Sequence, residues 1–200
     1  MFLLNDPKPF PVGKGFFVRE YAHPCAGCQS KDNEIIEGRE KKMRIQQYQV
    51  VLDADRKNIL VKESCTYYPA MDKLDHVGEI DKLMREVFEI QRRAEEYAYL
   101  ICMNTKCKPV GFFEISHGTC DMAVVNPREI LIRALLCGAA GFVLVHNHPS
   151  GDPSPSREDD RITKRLWDAA GLIGLRFLDH MIIGEESYYS YHMEKRLNGE

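Results

Sequence analysis

A chain of 200 residues, 44% of them hydrophobic, suffices for one domain with a sizeable core and an appendage, and is too short for two equal domains. A net charge of −3 and a pI near 6.2 exclude global electrostatic attraction to nucleic acid or anionic membrane. No stretch nears the roughly 18 apolar residues that span a bilayer, the first residues lack a secretory leader's basic region and apolar run, and seven scattered cysteines make no secreted disulfide framework, so reduced thiols and a cytosolic location are expected.

Residues 1–45 read as a loosely ordered lead-in, with Pro7, Pro9 and Pro11, glycines at 13 and 15, and a charged run through Lys42. Within it, Cys25-x-x-Cys28 is half of a zinc-ribbon pattern, but no second pair follows and His23 would add only a third ligand. An exposed turn bearing two thiols is the simpler reading. From Gln46, the runs Tyr48–Leu52 and Ile59–Val61 flank Asp53–Asn58 and predict a hairpin. Ile80, Leu83, Met84, Val87, Phe88 and Ile90 recur at helical spacing, which predicts an amphipathic helix from about Val77 to Arg93.

Strands are expected over 96–103, 109–115 and 119–125, with Cys102 a core residue. The next helix is signalled by Asn126 as N-cap, Pro127 in first position, Glu129 in third and Gly138 just past its end; Cys137 also reads as core packing. Val143, Leu144 and Val145 form a buried strand ending at His146. After a loop stiffened by prolines, a helix runs from Ser156 through Ile162 and Leu166 to Gly171. Phe177 to Ile183 is the last long strand, turning at Gly184–Ser187 and returning through Tyr188–Tyr191.

The chemistry concentrates in His146-Asn147-His148-Pro149-Ser150-Gly151-Asp152-Pro153-Ser154-Pro155-Ser156-Arg157-Glu158-Asp159. With average residue usage, H-x-H-x7-S-x2-D arises by accident in roughly one chain of this length in a few thousand. Side chains alternate along extended backbone, so His146 and His148 point the same way and can offer nitrogens to one ion. Asp159, in the first turn of the following helix, supplies a third donor. Three protein ligands leave a fourth tetrahedral position for water, the pattern of catalytic zinc, Zn2+, rather than structural zinc. Taken alone, Ser156-x-x-Asp159 is a capping box. A serine can both cap the helix and face the ion's water.

This combination resembles the JAMM metallopeptidase signature of the MPN-plus (JAB) domain, and the surrounding residues resemble its bacterial RadC branch: Asn126-Pro127-Arg128-Glu129-Ile130, the HNHPSGDPSPS run, Thr163 and Leu166, Leu178-Asp179-His180-Met181-Ile182-Ile183-Gly184 and Tyr188-Tyr189-Ser190. The resemblance covers about residues 46–198 and implies an α/β fold, a mixed β-sheet flanked by helices, with the catalytic core at about 70–198. It implies that His146, His148 and Asp159 bind zinc and that Ser156 stabilises an oxyanion. The family's general base is a glutamate at the start of an early strand. Glu95, Glu96 and Glu114 are the candidates; the turn Asn104–Lys108 after the strand 96–103 favours Glu96. Glu114, on the next strand, is second, its simpler reading being an exposed edge position. His180 reads as a core histidine satisfied by a nearby carboxylate, or else as a residue orienting a zinc-bound histidine.

The function implied is zinc-dependent hydrolysis of an amide or isopeptide bond in a protein or peptide substrate. A DNA-associated factor is the second class. RadC relatives carry an N-terminal helix-hairpin-helix-like region where this chain has the cysteine-bearing lead-in, and the acidic pI argues the same way, against nucleic acid as partner. A third class is an MPN scaffold that has lost its ligands, although all ligand positions are filled here. Zinc deaminases are excluded by the lack of H-x-E with P-C-x-x-C.

Overall fold

A computed structural model describes residues 42–69, 71–118 and 125–197. The lead-in with Cys25 and Cys28, and most of the expected strand 119–125, lie outside these. Among the described residues, seven strands form one mixed sheet flanked by three α-helices: β1 (Lys42–Leu52), β2 (Asn58–Pro69), α1 (Val77–Val87), β3 (Tyr97–Met103), β4 (Pro109–His117), α2 (Pro127–Leu136), β5 (Gly141–Asn147), α3 (Arg157–Leu172), β6 (Arg176–Ile183) and β7 (Tyr188–Ser190). The strand order is β2-β1-β4-β3-β5-β6-β7. β1 runs parallel to β4 and β5 to β6; the other neighbours are antiparallel. No helix among the described residues is long and apolar enough to cross a membrane.

Period-two alternation on the central strands assigns each helix its face. On one side Tyr99, Ile101, Met103, Val143, Val145 and Met181 pack against Ile80, Leu83, Met84 and Phe88 of α1 and the residue after it. On the other, Leu100, Cys102, Phe142, Leu144 and Ile182 pack against Ile130 and Ala134 of α2 and Ile162, Leu166 and Ala170 of α3. β3 and β5 are therefore sandwiched and read as nearly continuous apolar runs. The layers are helix, sheet, helix.

Three departures from the sequence expectation have local causes. The hairpin is longer than its apolar cores: β1 is already paired at Lys42, opposite Pro69, and only its inner end, Met43, Ile45 and Tyr68, is buried. α1 stops at Val87 because Glu89 adopts φ 47°, ψ 37°, a left-handed conformation that no helix continues. Ile90 is nevertheless buried, in a single 3-10 turn, which is why the apolar spacing runs on beyond the helix. α3 ends at Leu172, one residue later than read. The signals around α2 are as expected: the Asn126 side chain accepts from Arg128 N at 3.1 Å and Gly138 takes φ 66° just past the C-cap.

Arg85 ties α1 to the turn that joins β6 and β7. Its guanidinium, held by Asp81 at 2.8 Å, donates to the carbonyls of Gly184, Glu185 and Ser187 in the β6–β7 turn. That turn supports the loop carrying the histidine pair.

Candidate metal centre

β5 delivers His146 at its buried end and the chain stays extended through His148, whose N–H donates to Ile183 O at 3.0 Å beyond the last strand pair. The alternation that puts Leu144 against α3 puts His146 and His148 on the same side, their Nε2 atoms 3.2 Å apart. Asn147 faces away and holds the entrance to β3: its Oδ1 accepts from Tyr97 N at 2.8 Å and its Nδ2 donates to Glu95 O at 3.0 Å. The loop then turns at Gly151, φ 83°, and His148 Nδ1 lies 2.9 Å from Asp152 O. A carbonyl only accepts, so Nδ1 carries the hydrogen and a neutral His148 keeps its Nε2 lone pair free.

α3 brings the carboxylate. Ser156 caps it through a full capping box: Asp159 N donates to Ser156 Oγ at 3.2 Å, and Asp159 Oδ2 accepts from Ser156 N at 2.8 Å and from Ser156 Oγ at 2.6 Å. The same carboxylate faces both imidazoles, Oδ1 at 3.2 Å from His146 Nε2 and Oδ2 at 3.5 Å from His148 Nε2. Burial works to raise the Asp159 carboxyl, but the two imidazoles and the Ser156 hydroxyl outweigh it and hold the group well below the usual carboxylate range. For His148, burial is outweighed by its bonds to Asp159 and the Asp152 carbonyl, with the charges of Asp159 and Glu96 adding to them, and its imidazole is raised.

His180 is fully buried, and its partners differ from the expected carboxylate. Its Nε2 lies 3.0 Å from His146 Nδ1 and its Nδ1 lies 2.6 Å from Thr163 Oγ1, while its ring stacks on Tyr191. Asp179 turns away, accepting from Ser190 Oγ and, at 2.9 Å, from His192 N. Burial pushes the His180 imidazole well below its ordinary value and keeps it neutral. The sequence signal missed was Thr163: it lies four residues after Asp159 on α3, hence on the same helix face.

Glu96 immediately precedes β3, two residues before Ala98, which registers with His146. Period two puts Glu96 on the His146 face, and it lines with His146, Asp159, Ile162 and His180 a cavity of about 340 Å3. Glu114 registers with Tyr99, whose ring belongs to the α1 face, and is exposed, within 3.2 Å of His117 and 3.4 Å of the Tyr99 hydroxyl. Glu95 is exposed, and its carbonyl, not its carboxylate, meets the site through Asn147. A larger cavity of about 560 Å3 lies beside the C-terminal half of α3, between Trp167, Phe177 and Leu197, and none of these donors lines it.

Ligand atoms of His146, Asp159 and His180 lie within 4.8 Å of one another, a group able to hold a metal ion. Both His180 nitrogens already have protein partners, whereas His148 Nε2 faces His146 Nε2 and Asp159; the chemistry favours His148 over His180 as third donor. A tetrahedral ion with bonds near 2.1 Å separates its ligands by roughly 3.4 Å. The contacts of 3.2, 3.2 and 3.5 Å among His146, His148 and Asp159 fit that spacing. Two imidazoles with one carboxylate suit a borderline divalent ion such as zinc better than calcium or magnesium, which take oxygen ligands.

The sequence model of the RadC-like JAB domain matches residues 75–197. UPF0758 proteins are similar to part of the chain: one from Alkaliphilus metalliredigens is 44% identical over 112 residues, 56% of this chain and 47% of the relative. One from Thermotoga maritima is 36% identical over 126 residues, 63% of this chain and 55% of the relative. A third, from Clostridium acetobutylicum, is 44% identical over 100 residues, 50% and 44% respectively. The chain spans about half the length of these relatives.

Proposed function

This chain belongs to the RadC-like JAB domain family, and from that premise we propose that it is a zinc-dependent hydrolase that cleaves an amide or isopeptide bond in a protein or peptide. The observation that carries the reading is the convergence of His146 Nε2, His148 Nε2 and the Asp159 carboxylate at 3.2–3.5 Å, beside a cavity that His146, Asp159 and Glu96 line.

His146, His148 and Asp159 would hold the ion, and when bound it would supply a Lewis acid for the scissile carbonyl and acidify water toward neutrality. The protein's own contributions are a base, a hydrogen-bond donor and orientation. Glu96 takes a proton from the attacking water and returns it to the leaving amine, so the same carboxylate serves both half-steps. Ser156 Oγ, now donating to Asp159 Oδ2, turns its hydrogen to the developing oxyanion. Asp152 O fixes the tautomer of His148.

Elemental mass spectrometry of the purified protein beside a His146→Ala/His148→Ala variant tests this first. About one zinc per chain, lost in the variant, is expected, followed by zinc-dependent cleavage in a peptide and isopeptide panel. Wild-type protein without zinc, or zinc undiminished in the variant, would refute the metal assignment. A loaded protein that cleaves nothing in the panel would speak for the scaffold class.

A further inference from the structure

Hydrogen bonds link the Asp159 carbonyl, Thr163 Oγ1, His180 and His146 in series. Thr163 Oγ1 lies 2.6 Å from the Asp159 carbonyl and 2.6 Å from His180 Nδ1; His180 Nε2 lies 3.0 Å from His146 Nδ1; His146 Nε2 faces the Asp159 carboxylate at 3.2 Å. Thr163 and His180 are each about 1% exposed, so both imidazole–partner bonds are sheltered from water.

Counting hydrogens leaves two arrangements. A neutral imidazole has one N–H, a hydroxyl has one hydrogen, and one hydrogen sits between the two rings. In the first, Thr163 donates to the Asp159 carbonyl and accepts from His180 Nδ1–H, His146 Nδ1–H donates to His180 Nε2, and His146 Nε2 is bare. In the second, Thr163 donates to His180 Nδ1, His180 Nε2–H donates to His146 Nδ1, and His146 Nε2–H points at the Asp159 carboxylate. The rings change tautomer together, and the number of protons is the same in both.

We propose that Thr163 and His180 are positioning residues that set the tautomer of His146, the Thr163 hydroxyl turning from His180 to the Asp159 carbonyl when an ion takes the His146 Nε2 lone pair. This rests on the metal reading above and deepens it. Thr163 joins the two donors: it bonds the backbone of Asp159 on α3 and, through His180 on β6, the ring of His146 on β5. Without an ion, the second arrangement satisfies the Asp159 carboxylate with an N–H; with one, only the first leaves a lone pair to bind.

Nitrogen-15 NMR of the imidazole side chains, on metal-free and zinc-loaded full chain, reads the tautomers, and competition with a chelator reads zinc affinity. His146 and His180 are expected to carry hydrogen on the like-named nitrogen in each state, and on Nδ1 when zinc is bound. Thr163→Val is isosteric but leaves His180 Nδ1–H without an acceptor; it is expected to weaken zinc roughly 10–100-fold, the usual cost of losing such a partner, and Thr163→Ser to restore most of it. If Val costs folding stability instead, the thermal transition of the metal-free variant shows it, and the wild-type tautomers still decide. Hydrogens on unlike nitrogens of the two rings, or zinc held equally well by Thr163→Val, would overturn the proposal. Like tautomers in a protein that binds no zinc would leave the relay standing and sink the metal reading.

Discussion

Replacing Glu96 by glutamine is expected to leave zinc content and fold unchanged while lowering turnover of a cleaved peptide by about 10²- to 10⁴-fold, the usual contribution of a positioned acid–base group. Glu96 lines the cavity of His146 and Asp159 from just before β3, the strand that registers with β5, and glutamine keeps its shape without its basicity. Glu114→Gln is the matched control, since that residue stands on the strand position opposite Tyr99, facing the α1 layer. Full activity in Glu96→Gln, or an equal loss in Glu114→Gln, would remove Glu96 from the role.

Gly184→Ala is expected to be the costliest single methyl in the neighbourhood of the site. A Cβ there would stand 2.3 Å from Gly151 O and 2.8 Å from Pro153 Cδ, so the loop bearing His148 must move. Two hydrogen bonds hold that loop to the turn, Glu185 N to Gly151 O and His148 N to Ile183 O, each 3.0 Å. Overpacking of this kind costs about 1–3 kcal/mol, with a Tm lowered by roughly 2–4 °C per kcal/mol in a chain of this size. Displacing Asp152 also disturbs the carbonyl that orients His148, so zinc retention should fall with the Tm. Thermal unfolding and metal content measured on one preparation decide it; an unchanged Tm with full zinc would contradict the close approach.

What could be read from sequence was what local periodicity encodes. The shared direction of His146 and His148 follows from extended backbone, the start of α3 from Ser156 and Asp159, and the start and end of α2 from Asn126, Pro127 and Gly138. The mixed sheet flanked by helices came from the family resemblance, and it agrees with strands apolar on both faces. What depended on register was hidden. β5 and β6 slip by one residue between Phe142/Val143, so that Phe142 stands beside Phe177 but Leu144 beside His180. In unbroken register His180 would stand beside Val145, on the α1 face; the irregularity at Leu178 moves it to the face of His146. No spacing in the sequence announces a bulge, and so a carboxylate partner was a reasonable expectation and an incorrect one. The end of α1 was hidden similarly, since a left-handed glutamate has no compositional mark.

The capping box at the start of α3 has a consequence for how the domain tolerates metal loss. In small zinc modules the ligands have no other occupation, and chelation unfolds them. Here Asp159 is bonded by Ser156 through both main chain and hydroxyl, and a layered core stands behind it, so folding is expected to be separable from loading with the proposed ion. Chelation is accordingly expected to leave the far-ultraviolet circular dichroism intact, with zinc raising the unfolding temperature only by the mass action of a ligand on a protein already folded. On the metal reading proposed above, such a domain would fold first and load afterwards.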